Sequence, residues 1–345
     1  MTFDGLAVIV VGYGSSGLLA RNLAPLTRRL DGARTVVVDN RTTDDERSAM
    51  RRLAAVEGWE LVEPESNLGF GLGMNAGAER ALAAGATRLL LLNPDASIEP
   101  EDVTTLLASA GGDPRVLLAP RILRPDGSVW FDGSDLHLKD GRITASRKRE
   151  QLGLTAADVE QWLSGACLLV TAELWRAVGG FGDGYFLYWE DVELSYRARR
   201  AGARVEVVPQ ATAVHAEGGT QGDGHASSGE AKSATYYYFN IRNRLVFAAR
   251  NLDPETVRRW RRASLLIAYE VLLQGGRRQF LRSTAPLRAA FRGVRDGLRA
   301  SRGRAPRERP PKGEQQLRIS RHRLREQQRP DPGAHRNRRP RILAR

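Results

Sequence analysis

The sequence predicts an α/β fold in which a mostly parallel central sheet carries helices on its faces and is followed by C-terminal helices and a basic tail. Three observations carry this expectation. Short apolar runs at 6–11, 35–38, 59–62, 88–92 and 116–119 alternate with segments of helical spacing, such as Leu18, Leu19, Leu23 and Leu26. That is the rhythm of strands joined by crossover helices. The first run ends in a glycine turn, Gly12-Tyr13-Gly14-Ser15-Ser16-Gly17, and the second ends in Asp39; small and acidic residues at strand ends suit a bound nucleotide. Finally, the basic excess lies at one end of the chain. Residues 1–250 hold 27 Lys and Arg against 32 Asp and Glu, residues 251–300 hold 11 against 4, and residues 301–345 hold 15 against 4.

The net charge of +13 therefore sits behind an acidic body, which argues against nucleic acid bound across the main domain and points to a C-terminal attachment device. At 345 residues with 41% hydrophobic composition, the chain can bury a large core. Its single cysteine, Cys167 in "GACLLV", excludes an intramolecular disulfide and reads as a buried small hydrophobe. "LAVIVV" is short and lacks a basic leader, and no run approaches the ~20 apolar residues of a membrane span. A cytoplasmic protein is expected, unless it is held at the inner face of the cell membrane.

Beyond residue 120 the rhythm changes. Asp126-Gly127 and Asp140-Gly141 predict two hairpins. "WLSGACLLV" at 162–170 reads as one strand, a helix starts near Thr171, and "GGFGDGYF" is a glycine-rich loop. "DVELSYRARRAG" reads as a helix ended by Gly202, and "ARVEVVP" as a late strand. Residues 217–232 have almost no apolar content and are expected to be mobile; the Arg-rich tail at 301–345 is expected to be disordered. The organisation expected is a domain over 1–250, a basic amphipathic helical segment over 251–300, and the tail.

The G-x-G-x-x-G turn followed by Asp39 fits a dinucleotide-dependent oxidoreductase, but that reading accounts for only the first 40 residues. "NLGFGLGMNAG" at 67–77, "LLLLNPDASIEP" at 89–100, "WLSGACLLV" at 162–170, "VGGFGDGYFLYWEDVELSYRARRAG" at 178–202 and "AVHAEGG" at 213–219 follow in order. Together these segments resemble the family 2 glycosyltransferases of the GT-A fold, particularly the rhamnosyltransferase-like group that builds bacterial cell-surface glycans. The resemblance implies an inverting enzyme that moves a sugar, with rhamnose favoured, from a dTDP- or UDP-sugar to a glycan or polyprenyl-linked acceptor. It also implies a divalent cation, Mg²⁺ or Mn²⁺. A non-catalytic nucleotide-sugar-binding protein is the alternative, because the Asp-x-Asp motif of the family is here Asn93-Pro94-Asp95.

The resemblance assigns residues to roles. Asp39 and Asn40 match the contacts to base and ribose, Asn67, Gly69 and Asn75 the donor-binding loop, and Gly12 the first turn, where the family usually has Thr-Tyr-Asn in place of Gly12-Tyr13-Gly14. Asn93 and Asp95 match the diphosphate and metal position, with Asp95 the only carboxylate of the motif, and His215 matches a histidine that can complete the metal shell. The oxygen-rich set suits a hard divalent cation and imidazole is acceptable to Mn²⁺. In "YWEDVEL", Asp191 matches the general base and Glu190 an acceptor contact. An acid at a helix N-terminus is stabilised as its anion, so one of the two should be ionised at neutral pH. Tyr185, Tyr188 and Trp189 can stack on sugar faces or pack in the core, and the Arg242-Asn243 pair has a counterpart in the family.

In the C-terminal segment, Asp253 reads as an N-cap with Pro254 at the first helical position. Arg258, Arg259, Arg261 and Arg262 then crowd what reads as the early part of one helix, where cations oppose the helix dipole. Leu287, Phe291, Val294 and Leu298 form a second helical stripe beside Arg288, Arg292, Arg295 and Arg299. Such paired stripes suit an anionic membrane surface or, equally, helices docked on the body with a solvated basic face.

Overall fold

The computed structural model describes residues 2–216 and 232–302. The segment 217–231 and the tail from 303, with the expectations of mobility and disorder placed on them, lie outside the described residues.

The first part of the chain alternates as predicted: β1 (Leu6–Gly12), α1 (Ser16–Thr27), β2 (Arg34–Asp39), α2 (Asp44–Glu57), β3 (Glu60–Val62), α3 (Phe70–Ala83) and β4 (Arg88–Leu92). Then come β5 (Ala96–Ile98), α4 (Pro100–Ala110), β6 (Val116–Leu123), β7 (Val129–Phe131), β8 (Ser134–His137), β9 (Ile143–Ala145), β10 (Val159–Trp162) and β11 (Cys167–Thr171). The remaining elements are α5 (Ala172–Val178), α6 (Glu190–Arg200), β12 (Arg204–His215), α7 (Ala234–Asn251), α8 (Pro254–Arg262), α9 (Ser264–Leu273), α10 (Gln279–Arg282) and α11 (Ala285–Ala300).

The main sheet runs β3-β2-β1-β4-β11-β6-β12-β5, with β7 also paired to β6. Strands β3, β2, β1 and β4 are parallel to their neighbours, but β11 is antiparallel to both β4 and β6. A doubly wound dinucleotide-binding sheet continues from its fourth strand in parallel; here a reversed strand stands in that place. All seven residues of β1 are buried, and "RLLLL" of β4 is buried beyond its first residue. Such continuous apolar runs are what a sheet covered on both faces requires. Cys167 lies within this core, where burial pushes its thiol up.

Register sets the functional edge. Gly12 pairs with Asp39, Val10 with Leu92, and Leu92 with Cys167, so the carboxyl ends of β1, β2 and β4 and the start of β11 lie at one edge. Both predicted hairpins form, with Gly127 (φ 82°) and Gly141 (φ 74°) supplying the left-handed positions. "WLSGACLLV" is not one strand. It breaks between Trp162 and Cys167, so that β10 joins a small sheet with β8 and β9 while β11 enters the main sheet.

At the C-terminal end, Asp253 caps α8 by accepting from Glu255 N–H and Thr256 N–H, both at 3.0 Å. The helix is only nine residues long, which places Arg259, Arg261 and Arg262 in its last turn. There the dipole favours cations, so the expected conflict with the dipole does not arise. Helix α11 docks on α7 through small residues: a Cβ on Gly293 would stand 2.8 Å from the Tyr238 carbonyl oxygen, and one on Gly297 3.1 Å from that of Arg242. Ala289, Ala290 and Val294 close this contact against Tyr237 and Ile241, and α9 joins it through Ala268 and Leu272.

Candidate active site

The acidic residue closing β2 is held on one side and open on the other. Asp39 is buried; its Oδ2 accepts from Arg47 Nε at 2.7 Å, and Arg47 Nη2 also donates to the carbonyls of Asp39 (3.1 Å) and Pro64 (2.9 Å). Asp39 Oδ1 is buried without a partner. An orphaned acceptor of this kind calls for a donor such as a ribose hydroxyl or a base N–H. Arg47, on α2, carried no sequence signal of its own.

Asn40 and Asn67 spend their amides on the loop that follows β3. Asn40 Nδ2 donates to the Gly69 carbonyl (3.0 Å), Asn40 Oδ1 accepts from Leu68 N–H (2.7 Å), and Asn67 Oδ1 accepts from Gly69 N–H (2.8 Å). Gly69 sits at φ 79°, and a Cβ there would lie 2.2 Å from the Phe186 carbonyl oxygen. Only glycine meets both demands. Asn75 lies further along α3 and clamps Phe181, accepting from its N–H (2.8 Å) and donating to its carbonyl (2.9 Å). The three asparagines thus build the loop and its contact with the 180–187 segment.

The first turn has a different use from the one its glycines advertise. Ser16 N–H at the start of α1 donates to Glu46 Oε1 at 2.6 Å. The amide end where a dinucleotide's pyrophosphate would sit already faces a carboxylate. With the antiparallel β11, this excludes the oxidoreductase reading. Gly12 ends β1 level with Asp39, and a Cβ there would stand 3.2 Å from Met50 Cε.

At the end of β4, Asn93 N–H donates to the Ala166 carbonyl (2.9 Å), which ties this turn to the break before β11. His215 pairs with Ala96 in the β12–β5 ladder, and its Nε2 lies 3.1 Å from Asp95 Oδ1. Its Nδ1 is buried without a partner. Asn93 Oδ1 is buried and unpartnered too. Trp130 packs edge-on against the imidazole, ring centroids 4.5 Å apart. Among the described residues no group of three or more His, Cys, Asp or Glu gathers. Asp95, His215 and the amide oxygen of Asn93 nevertheless fit a cation bound jointly with substrate, since Mg²⁺-type sites take one or two protein carboxylates and complete their shell with phosphate oxygens and water.

The acids that open α6 are delivered by a strained turn. Tyr188 and Trp189 both have positive φ, 66° and 76°, at a cost of about 1–3 kcal/mol each for non-glycine residues. The buried Asn243 of α7 holds the turn, donating from Nδ2 to the carbonyls of Leu187 (2.9 Å) and Tyr188 (2.8 Å). Trp189 is buried against Phe247 and Trp260, so it anchors the turn and, against expectation, offers no face to an acceptor. Tyr185 is buried as well, while Tyr188 is half-buried beside Tyr236.

Asp191 Oδ2 accepts from Gly165 N–H at 3.0 Å and Oδ1 from Val192 N–H at 2.9 Å. Burial pushes its carboxyl up to about 6, against the opposing pull of these amides. Glu190 is buried, its Oε2 has no partner, and burial together with the charge of Asp191 pushes its carboxyl well above the usual range. Of the two acids, Asp191, with two amide donors, gives up its proton the more readily. Gly165 is a residue that sequence reasoning passed over. A glycine inside an apparent strand signals a break or close approach, and a Cβ here would stand 3.2 Å from the Phe70 ring and 3.5 Å from Asp191 Cβ. Gly165 and Ala166 join Asp191 to Asn93, and Gly69 and Phe70 join Phe186 to the loop that follows β3.

The comparisons with known proteins agree with this geometry. Residues 7–163 match the family described as "Glycosyl transferase family 2". An N-acetylglucosaminyl-diphospho-decaprenol L-rhamnosyltransferase of Mycobacterium tuberculosis is 32% identical over 261 residues, 68% of this chain and 84% of the relative. The chain is a family 2 glycosyltransferase. The enzyme is also similar to the low-salt glycan biosynthesis hexosyltransferase Agl10 of Haloferax volcanii, 27% identical over 61% of this chain and 67% of the relative. Among solved structures, S. aureus TarS 1-349 aligns with a TM-score of 0.50 at 16% identity, covering 88% of this chain and 81% of that one. The transferase has the GT-A architecture of such enzymes, which accounts for the reversed strand, and a non-catalytic binding protein is set aside.

Proposed function

We propose that this glycosyltransferase moves rhamnose from a nucleotide-diphosphate sugar to a hydroxyl of a lipid-linked glycan in one inverting displacement, with Asp191 as general base. The carrying observation is the Asp191 carboxylate, pushed up to about 6 and held by two backbone amides beside the Asn93-Pro94-Asp95 turn. A base of that strength is ionised at neutral pH and still accepts a proton as the acceptor oxygen becomes bonded. The acceptor O–C bond forms as the bond to the diphosphate breaks; the proton goes to Asp191 and the diphosphate leaves with the electron pair.

Asp39 Oδ1 receives the nucleoside, and the Leu68–Gly69 loop, preset by Asn40 and Asn67, shapes the donor cleft. Asp95 and His215 would hold a divalent cation, whose contribution when bound is to offset the charge developing on the leaving diphosphate. Glu190, its carboxyl raised by burial and by the charge of Asp191, contacts the acceptor. Rhamnose and a polyprenyl-diphosphate acceptor are supported by the activity of the mycobacterial relative. Residues 1–250 carry the transfer, and 251–300 brace α7 behind the Tyr188–Trp189 turn.

The test is transfer from dTDP-rhamnose and a panel of UDP-sugars onto a polyprenyl-diphosphate N-acetylglucosamine, with and without Mn²⁺, with anomeric configuration read by NMR. Turnover with a UDP-hexose alone would overturn the rhamnose assignment, and a retained configuration would overturn the single displacement. Thermal stabilisation by dTDP or UDP with Mn²⁺, and none by NAD, is expected from mass action.

A further inference from the structure

Six of the thirteen exposed large hydrophobic side chains among the described residues fall within residues 265–291. Leu265 (74% exposed), Leu266 and Tyr269 lie on α9, Leu281 (89%) on α10, and Leu287 and Phe291 (70%) on α11. Their placement follows from the packing. Helices α9 and α11 turn Ala268, Leu272, Ala289, Ala290 and Val294 toward α7, and Leu265, Leu266, Tyr269, Leu287 and Phe291 fall off that packed stripe and stay exposed. The transfer chemistry uses none of them.

Basic charge accompanies this face. Arg258, Arg262, Arg277, Arg278 and Arg288 make no ion pair among the described residues. The three acids of α8, α9 and α11 each already face an arginine: Glu255 with Arg259, Glu270 with Arg142 at 2.7 Å, and Asp296 with Arg295 at 2.8 Å. The outward surface of α8–α11 and the turn before α10 thus combines apolar side chains with uncompensated positive charge. Among the described residues no helix is long and apolar enough to cross a membrane.

We propose that the outward face of α8–α11 docks on an anionic lipid bilayer, with Leu265, Leu281 and Phe291 entering the headgroup–acyl boundary and the unpaired arginines meeting lipid phosphates. Charge decides the occupant. A second copy in a two-fold dimer would set this face against itself and bring like charges together, whereas an anionic bilayer supplies both the counter-charge and the apolar layer. The proposal agrees with a lipid-linked acceptor but stands on its own residues.

The experiment uses the full chain and sedimentation with vesicles of phosphatidylglycerol mixed with phosphatidylcholine, against phosphatidylcholine alone. The parent should bind the anionic vesicles and lose affinity as salt rises. Arg258→Gln/Arg262→Gln/Arg288→Gln should lower partitioning by about a hundredfold, at about fivefold per arginine, and Leu265→Ser/Leu281→Ser/Phe291→Ser by at least about tenfold. Phe291→Trp should gain an emission component quenched by brominated lipid. Unchanged binding in the serine variant, or no added quenching in Phe291→Trp, would overturn the proposal, since any remaining binding would then come from charge elsewhere. A serine variant that becomes monomeric from a dimeric parent, with vesicle binding intact, would overturn it in favour of a second copy. Turnover on a water-soluble short-chain acceptor should be equal in parent and variants. Absence of that turnover in the parent would count against the transfer reading alone and leave the vesicle result to decide docking.

Discussion

Replacing Asp191 by Asn tests the base and the cause of its pKa in one variant. With the carboxyl at about 6, roughly 90% of Asp191 is ionised at pH 7 and roughly 10% at pH 5, so parent turnover should fall about tenfold over that interval. Asp191→Asn cannot take the proton, and a loss of about 10²–10⁴-fold in kcat is expected. Stability should move the other way. The folded-state carboxyl lies above its unfolded value, so the folded state binds the proton more tightly, and stability falls as pH rises from about 4 to about 6. A shift from the ordinary 3.8 to about 6 amounts to about 3 kcal/mol of destabilisation at and above pH 7. Asparagine removes that cost but keeps only one of two acceptor oxygens for Gly165 and Val192, a loss of about 1 kcal/mol. The variant should therefore be about 1–2 kcal/mol more stable than the parent at pH 7.5, and the advantage should vanish below pH 4. Urea melts at both pH values and steady-state transfer from pH 5 to 8 are the assays. Transfer by Asp191→Asn within about threefold of the parent, or a flat parent profile between pH 5 and 7, would refute the base. Lower stability of the variant at pH 7.5 would refute burial as the cause of the shift.

Asp95→Ala should remove the metal dependence of nucleotide binding by calorimetry, and His215→Ala should weaken it less; metal dependence unchanged in Asp95→Ala would mean that Asn93-Pro94-Asp95 is a turn only. Asn243→Ala leaves the Leu187 and Tyr188 carbonyls without their donor, so urea melts should show a loss of about 2–3 kcal/mol. Turnover should fall more than donor affinity, because the turn it holds carries Asp191 and not the nucleotide. Gly69→Ala sets a Cβ 2.2 Å from the Phe186 carbonyl oxygen at φ 79°; a stability loss of at least about 2 kcal/mol is expected, together with weakened nucleotide binding in a thermal-shift assay.

Much of the fold is legible along the chain. The five apolar runs before residue 120 became β1, β2, β3, β4 and β6, the two Asp-Gly turns became hairpins, Asp253 capped α8, and Gly202 followed the end of α6. Each rests on near-neighbour chemistry: an unbroken apolar run of strand length, left-handed glycine, a side chain reaching an amide two residues on. The ordered family segments likewise pointed to the strand ends where Asp39 and Asp95 stand and to the helix start that carries Asp191. The literal glycine fingerprint misled, because its meaning depends on what faces the helix end, and here that is Glu46, thirty residues away.

Tertiary structure alone decided how these parts act. Nothing local in "WLSGACLLV" announces that Cys167–Thr171 runs against β4, or that the break before it turns Gly165 N–H toward Asp191. Arg47 becomes the orienter of Asp39, and Asn243 the clamp of a strained turn, only through contacts across the fold. Glu190 and Asp191 are adjacent and chemically alike, yet one buries an oxygen without a partner while the other accepts two amide hydrogens. Their different hold on a proton follows from burial and from donors brought by distant segments. Backbone periodicity is a property of neighbours along the chain, whereas the energy of a charge depends on every dipole and water molecule around it in space.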